Sequence, residues 1–313
     1  MAPTQKVFIM GACSLICLVI APFFGAAELT EQIFFLRLPR ALLAWLAGGS
    51  LAIAGLILQS ILRNDLATPF TLGMASAASF GAFLCIAIPS ISIAFWAPQV
   101  LGFGMAIIAL WFLVFLQKKQ LGPNRLILAG ITINFLFGAA LMIIRYLAPP
   151  YRVAKLEHWL MGSIEASSYA PSFIVAFAII FSLLISKSLM SQLDQYSFDM
   201  DVASVRGVNI SKLIKKSLLI SAILTTAVVT QCGPIAFIGL IVPHITRRVL
   251  PANHHWGLSG SWWIGSGFLV LADTLSRSVS FLGNSSDIPV GILTALIGGP
   301  TFLIILIKNK HFS

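Results

Sequence analysis

The chain has 313 residues, 58% of them hydrophobic and only 10% charged, with a net charge of +10 and a mean hydropathy of +0.96. A soluble domain carries roughly one-quarter charged residues, so that class is excluded and a chain resident in a bilayer is indicated. Membrane topology and anionic lipid account for the positive balance, and there is no compact basic face interleaved with aromatics of the kind nucleic acid requires.

Apolar stretches broken by polar punctuation about every 20 residues predict an all-α, polytopic membrane fold of about ten transmembrane helices, with residues 1–313 as a single transmembrane domain. In chain order the expected spans are 7–25, 41–62, 70–90, 95–116, 126–148, 171–190, 215–232, 235–250, 259–277 and 289–307. The first resembles a secretory leader, since Lys6 precedes an apolar run ending in Gly25-Ala26-Ala27. Its removal would leave an odd number of spans with the same basic tally, so it is expected to be retained. Small residues recur on one face of the second span, at Ala44, Gly48, Ala52 and Gly55, and early in the third, at Gly73, Ala77 and Gly81. In lipid such stripes mark helices packed against other helices. Gln59 in the second span and Thr132 and Asn134 in the fifth are the polar side chains suited either to a pathway or to a helix-to-helix hydrogen bond.

Later in the chain, residues 191–216 form the longest polar stretch, and Gly233-Pro234 breaks the connection between spans seven and eight. Gly239-Leu240-Ile241-Val242-Pro243, followed by His244, Arg247 and Arg248, is polar and helix-breaking where hydrocarbon penalises both, so protein must satisfy it. Gly298-Gly299-Pro300 predicts a kink or an unwound turn in the last span. With the N-terminus inside, fourteen of the 20 basic residues fall on one side of the membrane and six on the other, which predicts that both termini are cytoplasmic in a multi-pass plasma-membrane protein.

The catalytic inventory is negative. There is no Gly-rich phosphate loop ending in Lys-Ser/Thr, no His-Glu-x-x-His and no Cys-x-x-Cys, so the chain is not expected to be an enzyme or to bind a metal or cofactor. Cys13, Cys17, Cys85 and Cys232 lie in apolar spans and read as small hydrophobes. The ten acidic residues and the five histidines are expected in loops or at span ends, which argues against a proton-coupled carrier and against an intramembrane hydrolase.

Several segments together resemble the permease family of ABC importers for iron-siderophores, haem and vitamin B12. They are Arg37-Leu38-Pro39-Arg40, Arg63-Asn64-Asp65-Leu66-Ala67-Thr68-Pro69 with Leu72-Gly73, and Gly233-Pro234 through Pro243-His244. Leu128-Ala129-Gly130, Trp159 to Ser163, Ala272-Asp273 with Arg277, and Ile288-Pro289-Val290-Gly291 with Gly299-Pro300-Thr301-Phe302 extend the match over nearly the whole chain. The resemblance implies a dimer with a second permease copy or a paralogue, two ATPase subunits on the inner face, and a substrate-binding protein docking outside. It implies docking roles for Arg37, Arg40 and Arg277, and ATPase coupling through Ala203, Arg206, Gly207 and Val208 within the loop at about 191–216. It also implies a cytoplasmic gate at Pro123 and Asn124, where the segment Leu121 to Arg125 carries a turn in place of the family's hydroxyl residues. Asp199 and Arg206 stand where relatives have Gly and Leu, so the coupling surface departs from the pattern. A ferric siderophore is the leading cargo, with haem, cobalamin or an oxyanion as alternatives. For Arg37 and Arg40 the residues also fit snorkelling at the interface, and for Arg277 an intrahelical pair with Asp273.

Overall fold

The computed structural model describes residues 2–25, 30–87, 97–118, 123–165, 168–186, 189–278 and 287–308, and among them there is no strand. The helices are α1 (Pro3–Ile20), α2 (Glu31–Leu62), α3 (Met74–Ala87), α4 (Ala97–Lys118), α5 (Pro123–Leu147), α6 (Pro150–Leu160), α7 (Ala170–Ile185), α8 (Leu189–Phe198), α9 (Met200–Val205), α10 (Ile210–Cys232), α11 (Ile238–Val249), α12 (His254–Ser278) and α13 (Val290–Lys308), with a single 3-10 turn at Ala21–Phe23. Each of the ten expected spans coincides with a helix; α6, α8 and α9 are connecting helices that the span pattern does not show. By length and composition α1, α2, α4, α5 and α10 can each cross a membrane, and α3 and α13 are shorter apolar helices.

The bundle is organised around α2. Its 32 residues make a rod of about 48 Å at 1.5 Å per residue, well beyond a hydrocarbon core of about 30 Å. Of its most apolar stretch 78% is buried against protein, whereas for α5 the figure is 11%, so α5 leaves most of its surface to lipid or to another chain. The small-residue face explains the burial. A side chain at Gly48 would place its Cβ 2.2 Å from the Gly265 carbonyl oxygen, and one at Gly55 would come 1.9 Å from that of Gly239. Backbone therefore rests on backbone where α2 meets α12 and α11, as expected where packing replaces water exclusion as the driving force. On the far side of α12, α1 docks with Gly11 against Trp263, and the Trp45 indole on α2 donates to Ser14 Oγ on α1 at 3.0 Å.

Four features differ from expectation. α2 starts ten residues earlier than the apolar pattern alone suggests, capped by Thr30, whose hydroxyl accepts the Ile33 N–H, so Arg37, Pro39 and Arg40 lie within the helix and not before it. Span eight is only the 12-residue α11, about 18 Å long, because Gly233–Phe237 is non-helical and both Gly233 (φ +67°) and Phe237 (φ +69°) are left-handed. α13 runs through Gly298-Gly299-Pro300 without an unwound turn. Finally, Asp273 and His244 are not at span ends: both are buried within α12 and α11.

Candidate functional site

The two ends of α2 carry the polar chemistry. At its C-terminal end a crevice of about 570 Å³ is lined by residues of α2, α8, α11 and α12, among them Gln59, Arg63, Asp194 and Arg247. Gln59 is 2% exposed, and its Nε2 donates to the carbonyls of Gly239 and Leu240, both at 3.2 Å; Pro243 has no N–H to give the Gly239 carbonyl, so Gln59 supplies the donor that α11 lacks there. Arg247 Nη2 donates to Gln59 Oε1 at 2.5 Å and to Asp65 Oδ1 at 2.7 Å, tying α11 to the turn after α2. The polar pentad region is thus satisfied by a side chain four turns or more along a neighbouring helix, which is how irregular backbone is tolerated at membrane depth.

Helix α8 is strapped to the same end. Asp194 Oδ1 accepts the backbone N–H of His254 at 2.7 Å, capping α12, and lies 2.6 Å from the imidazole Nδ1. The other ring nitrogen, Nε2, is 2.8 Å from Ser60 Oγ on α2. One residue pair further along, Arg63 Nη2 donates to the Tyr196 carbonyl at 2.5 Å, while the Tyr196 hydroxyl, fully buried, donates to the Ile61 carbonyl at 3.1 Å. By distance, Ser60, His254 and Asp194 match a hydrolase relay. Ser60 nevertheless sits inside a helix, with Oγ 2.8 Å from the Leu56 carbonyl, and helical N–H groups aligned along the axis form no oxyanion pocket beside it. The arrangement is a mechanical strap.

Beyond the strap, α8 and α9 form a corner. Asp199 caps α9, its Oδ1 accepting the N–H groups of Asp201 (2.8 Å) and Val202 (2.9 Å), and these two bonds hold its carboxyl below the usual range. Of the four expected coupling residues, Ala203 and Val208 are buried and hold the corner together, while Arg206 and Gly207 are exposed, Gly207 with φ +85° in the left-handed region. The sequence reading missed the most prominent feature of the corner, which is that Phe198 is 86% and Val205 90% exposed. The available signal was Val205 inside the coupling motif and Phe198 immediately before the cap.

At the opposite end of α2, two of the three expected docking arginines, Arg40 and Arg277, pair with one buried carboxylate, and the third, Arg37, is bonded to the turn after α1. Asp273 is completely buried, with Arg40 Nε 2.9 Å from Oδ1 and Arg277 Nε 3.1 Å from Oδ2, the latter without hydrogen-bond alignment. Arg277, 5% exposed, also donates to the carbonyls of Ala21 (3.3 Å) and Phe24 (3.5 Å), and Arg37, 8% exposed, donates to that of Pro22 at 3.3 Å. Arg40 reaches outward, its Nη1 2.5 Å from Asp287 Oδ2, an exposed carboxylate before α13. The arginines fasten the turn after α1, α2, α12 and the start of α13 together.

The remaining expected residues are scattered. Thr132 lies on the exposed face of α5 with its hydroxyl donating to the Leu128 carbonyl at 3.0 Å, and Asn134 is half-buried next to Gly73. Pro123 and Asn124 begin α5, while 121 and 122 of the expected gate segment lie outside the described residues. Among the described residues no cluster of His, Cys, Asp and Glu could hold a metal ion.

Comparison with known proteins accords with this architecture. The sequence profile of the FecCD transport family matches residues 7–308. The hemin transport system permease protein HmuU of Yersinia pestis is 35% identical over 285 residues, covering 88% of this chain and 83% of that protein. The iron(3+)-hydroxamate import system permease protein FhuG of Bacillus subtilis is 32% identical over 295 residues, covering 91% and 87%. A solved metal-chelate type ABC transporter in an inward-facing conformation superposes with a TM-score of 0.88 at 30% identity, over 98% of this chain and 100% of that one. With the fold, the span order and the motif positions in agreement, the chain belongs to the FecCD transport family and is a transport permease.

Proposed function

We propose that this chain is one half of the translocation path of an ATP-driven importer, pairing with a second copy or a paralogue, with two separate ATPase subunits on the α8–α9 face and a substrate-binding protein at the opposite end. The observation that carries this reading is the α8–α9 corner: a protruding apolar tip, Phe198 and Val205, on two short helices strapped to the central helix by side-chain bonds. Apolar groups standing out at the polar end of a membrane bundle suit a protein partner better than water or headgroups. Force applied to the tip passes through Asp194 and His254 into α12, and through Tyr196 and Arg63 into α2, so tilting α8 tilts the helix on which the bundle is built.

The basic-residue tally sets the tip and both termini in the cytoplasm of a cell bounded by an inner, plasma membrane. Docking at the other end falls first on Arg40, the most exposed of the three arginines, with Arg37 and Arg277 shaping the rim from within. The exposed face of α5, with Phe135, Leu136, Met142 and Thr132, suits the second permease, and Gln59 contributes to the pathway by holding the start of α11. Pro123 and Asn124 are assigned to the cytoplasmic gate on the family resemblance.

An iron chelate, a ferric siderophore first, is the proposed cargo, in keeping with the iron(3+)-hydroxamate and metal-chelate relatives. Haem is the second reading, on the strength of the 35% identity to the hemin permease. Deletion of the chain, followed by growth under iron limitation with individual chelates supplied, separates the two: loss of growth on one siderophore alone supports the first reading, loss on haem alone the second. Retrieval of the full-length chain without any ATPase would reject the importer reading itself.

A further inference from the structure

Helices α7 and α12 both pack on α2, and between them a crevice of about 370 Å³ opens on the side of the bundle. Its floor is Ile53 and Ile57 of α2, its walls Ile220 and Leu224 of α10, Ser182 of α7 and Trp262 of α12. The volume falls within the range of ordinary small-molecule sites, and the lining is mostly apolar, as an alkyl chain requires. Four serines interrupt it: Ser50, Ser186 and Ser259 each donate to a carbonyl three or four residues back, whereas Ser182 is 4% exposed and its hydroxyl has no hydrogen-bond partner among the described residues. A buried hydroxyl left unpaired is costly, and a ligand carrying an ester carbonyl would satisfy it.

The mouth of the crevice lies at the α8 end of the bundle, where Ser186 and Met190 line it. Lys216 is exposed one turn before Ile220 on the same face of α10, about 6 Å along the axis, and forms no ion pair among the described residues. His255 is exposed one turn before the lining residue Ser259 on α12. The Lys216 ammonium, with the His255 imidazole as a further polar group, therefore sits where the polar head of a molecule with its tail in the crevice would emerge. A second crevice, on the other flank of α7, is larger at about 590 Å³ but lined by apolar side chains such as Phe103, Phe177 and Leu219, with no basic residue. It offers a tail no counterpart for a phosphate.

We infer that the crevice between α7 and α12 is a binding site for an anionic phospholipid of the adjoining leaflet, one acyl chain lying over Ile53 and Ile57, its ester facing Ser182 and its phosphate at the mouth flanked by Lys216 and His255. The site is independent of the cargo. It assigns a purpose to the basic start of α10 that neither the coupling corner nor the transport path uses.

The test uses the full-length chain in nanodiscs containing phosphatidylglycerol or phosphatidylcholine with brominated acyl chains, reading quenching of tryptophan fluorescence. The difference between the natural chain and Trp262→Phe isolates the crevice, and the difference from Trp111→Phe, at an exposed position on α4, isolates bulk lipid. At equal mole fraction the crevice signal is expected to favour phosphatidylglycerol about fivefold, the contribution of Lys216, with the Trp111 signal equal for the two lipids. Lys216→Gln together with His255→Gln, both at exposed positions and so harmless to packing, should remove the preference, and Ser182→Ala should weaken quenching by either lipid. Inorganic phosphate added to phosphatidylcholine discs should leave the crevice signal unchanged. Equal quenching by the two lipids, a preference that survives the double substitution, or a Trp111 signal with the same preference would each overturn the assignment.

Discussion

The two ends of α2 solve opposite problems with similar residues. At the Asp273 end, charges are drawn inward: a fully buried carboxylate is matched by arginines that also fill the carbonyls of the Ala21–Phe24 turn, and little is left for a partner beyond Arg40 and Asp287. At the α8 end, the same kinds of bonds are strung across helices as straps, and the groups left over, Phe198 and Val205, are apolar and point away from the molecule. The first end is closed by its own chemistry and resists deformation; the second transmits it. That contrast teaches where movement can enter this bundle.

It breaks most severely at Asp273. Asp273→Ala leaves Arg277 buried without a counter-charge, and stripping one partner from a buried pair costs about 3–5 kcal/mol, so thermal unfolding of the detergent-purified chain should begin many degrees lower. Adding Arg277→Met should restore part of the loss; a double variant as unstable as the single one would show that packing, and not charge, holds this end. The α8 tip should behave in the reverse way. Val205→Asp or Phe198→Asp is expected to weaken ATPase association by about 30-fold or more, the scale of an interface hot spot of about 2 kcal/mol, with unfolding unchanged because neither side chain is buried. Next in size is the strap: His254→Ala removes bonds to both Asp194 and Ser60, for about 1–3 kcal/mol locally. Its diagnostic readout is a partner ATPase that still binds and hydrolyses ATP while transport per ATP falls; a proportional loss of binding would make His254 part of the docking surface instead.

Much of this was legible in the chain. Ten apolar segments gave ten helices, and the small-residue stripe at Gly48 and Gly55 announced the closest helix contacts, because in lipid a missing side chain is the plainest sign of backbone approach. The Gly233-Pro234 break was equally readable. What the pattern hid has a common cause: hydropathy treats charge as an interruption, and here charge is folded in. Arg37 and Arg40 read as a loop before a span, yet they lie inside α2, where Asp273, more than 200 residues away, pairs with Arg40 and the Pro22 carbonyl accepts from Arg37. Span eight read as 235–250 because the run stays apolar, although its first three residues are non-helical, Gly233 and Phe237 turn left-handed, and Gln59 supplies the donor that Pro243 cannot give to the Gly239 carbonyl. The pairing of Asp194 with His254 could not be foreseen, since nothing local connects a loop carboxylate to the first residue of α12.

The smallest expected effect sharpens the contrast from the coupling side. Asp199, where the family resemblance leads one to expect glycine, is put to use by the corner, since its carboxylate accepts the N–H groups of Asp201 and Val202, the second and third residues of α9. Those bonds favour the ionised form, so its folded-state affinity for a proton is lower than in the unfolded chain. The stabilisation is accordingly complete above the unfolded carboxylate range, near about pH 4, and disappears only as the pH falls through the still lower folded value. Amide exchange over residues 199–206 should therefore show protection that is flat between about pH 5 and 8 and weakens below about pH 4 relative to Asp199→Asn, whose amide caps without titrating. Protection that ran the same in the natural chain and in Asp199→Asn at every pH would mean that the corner draws its order from the strap and not from its own cap.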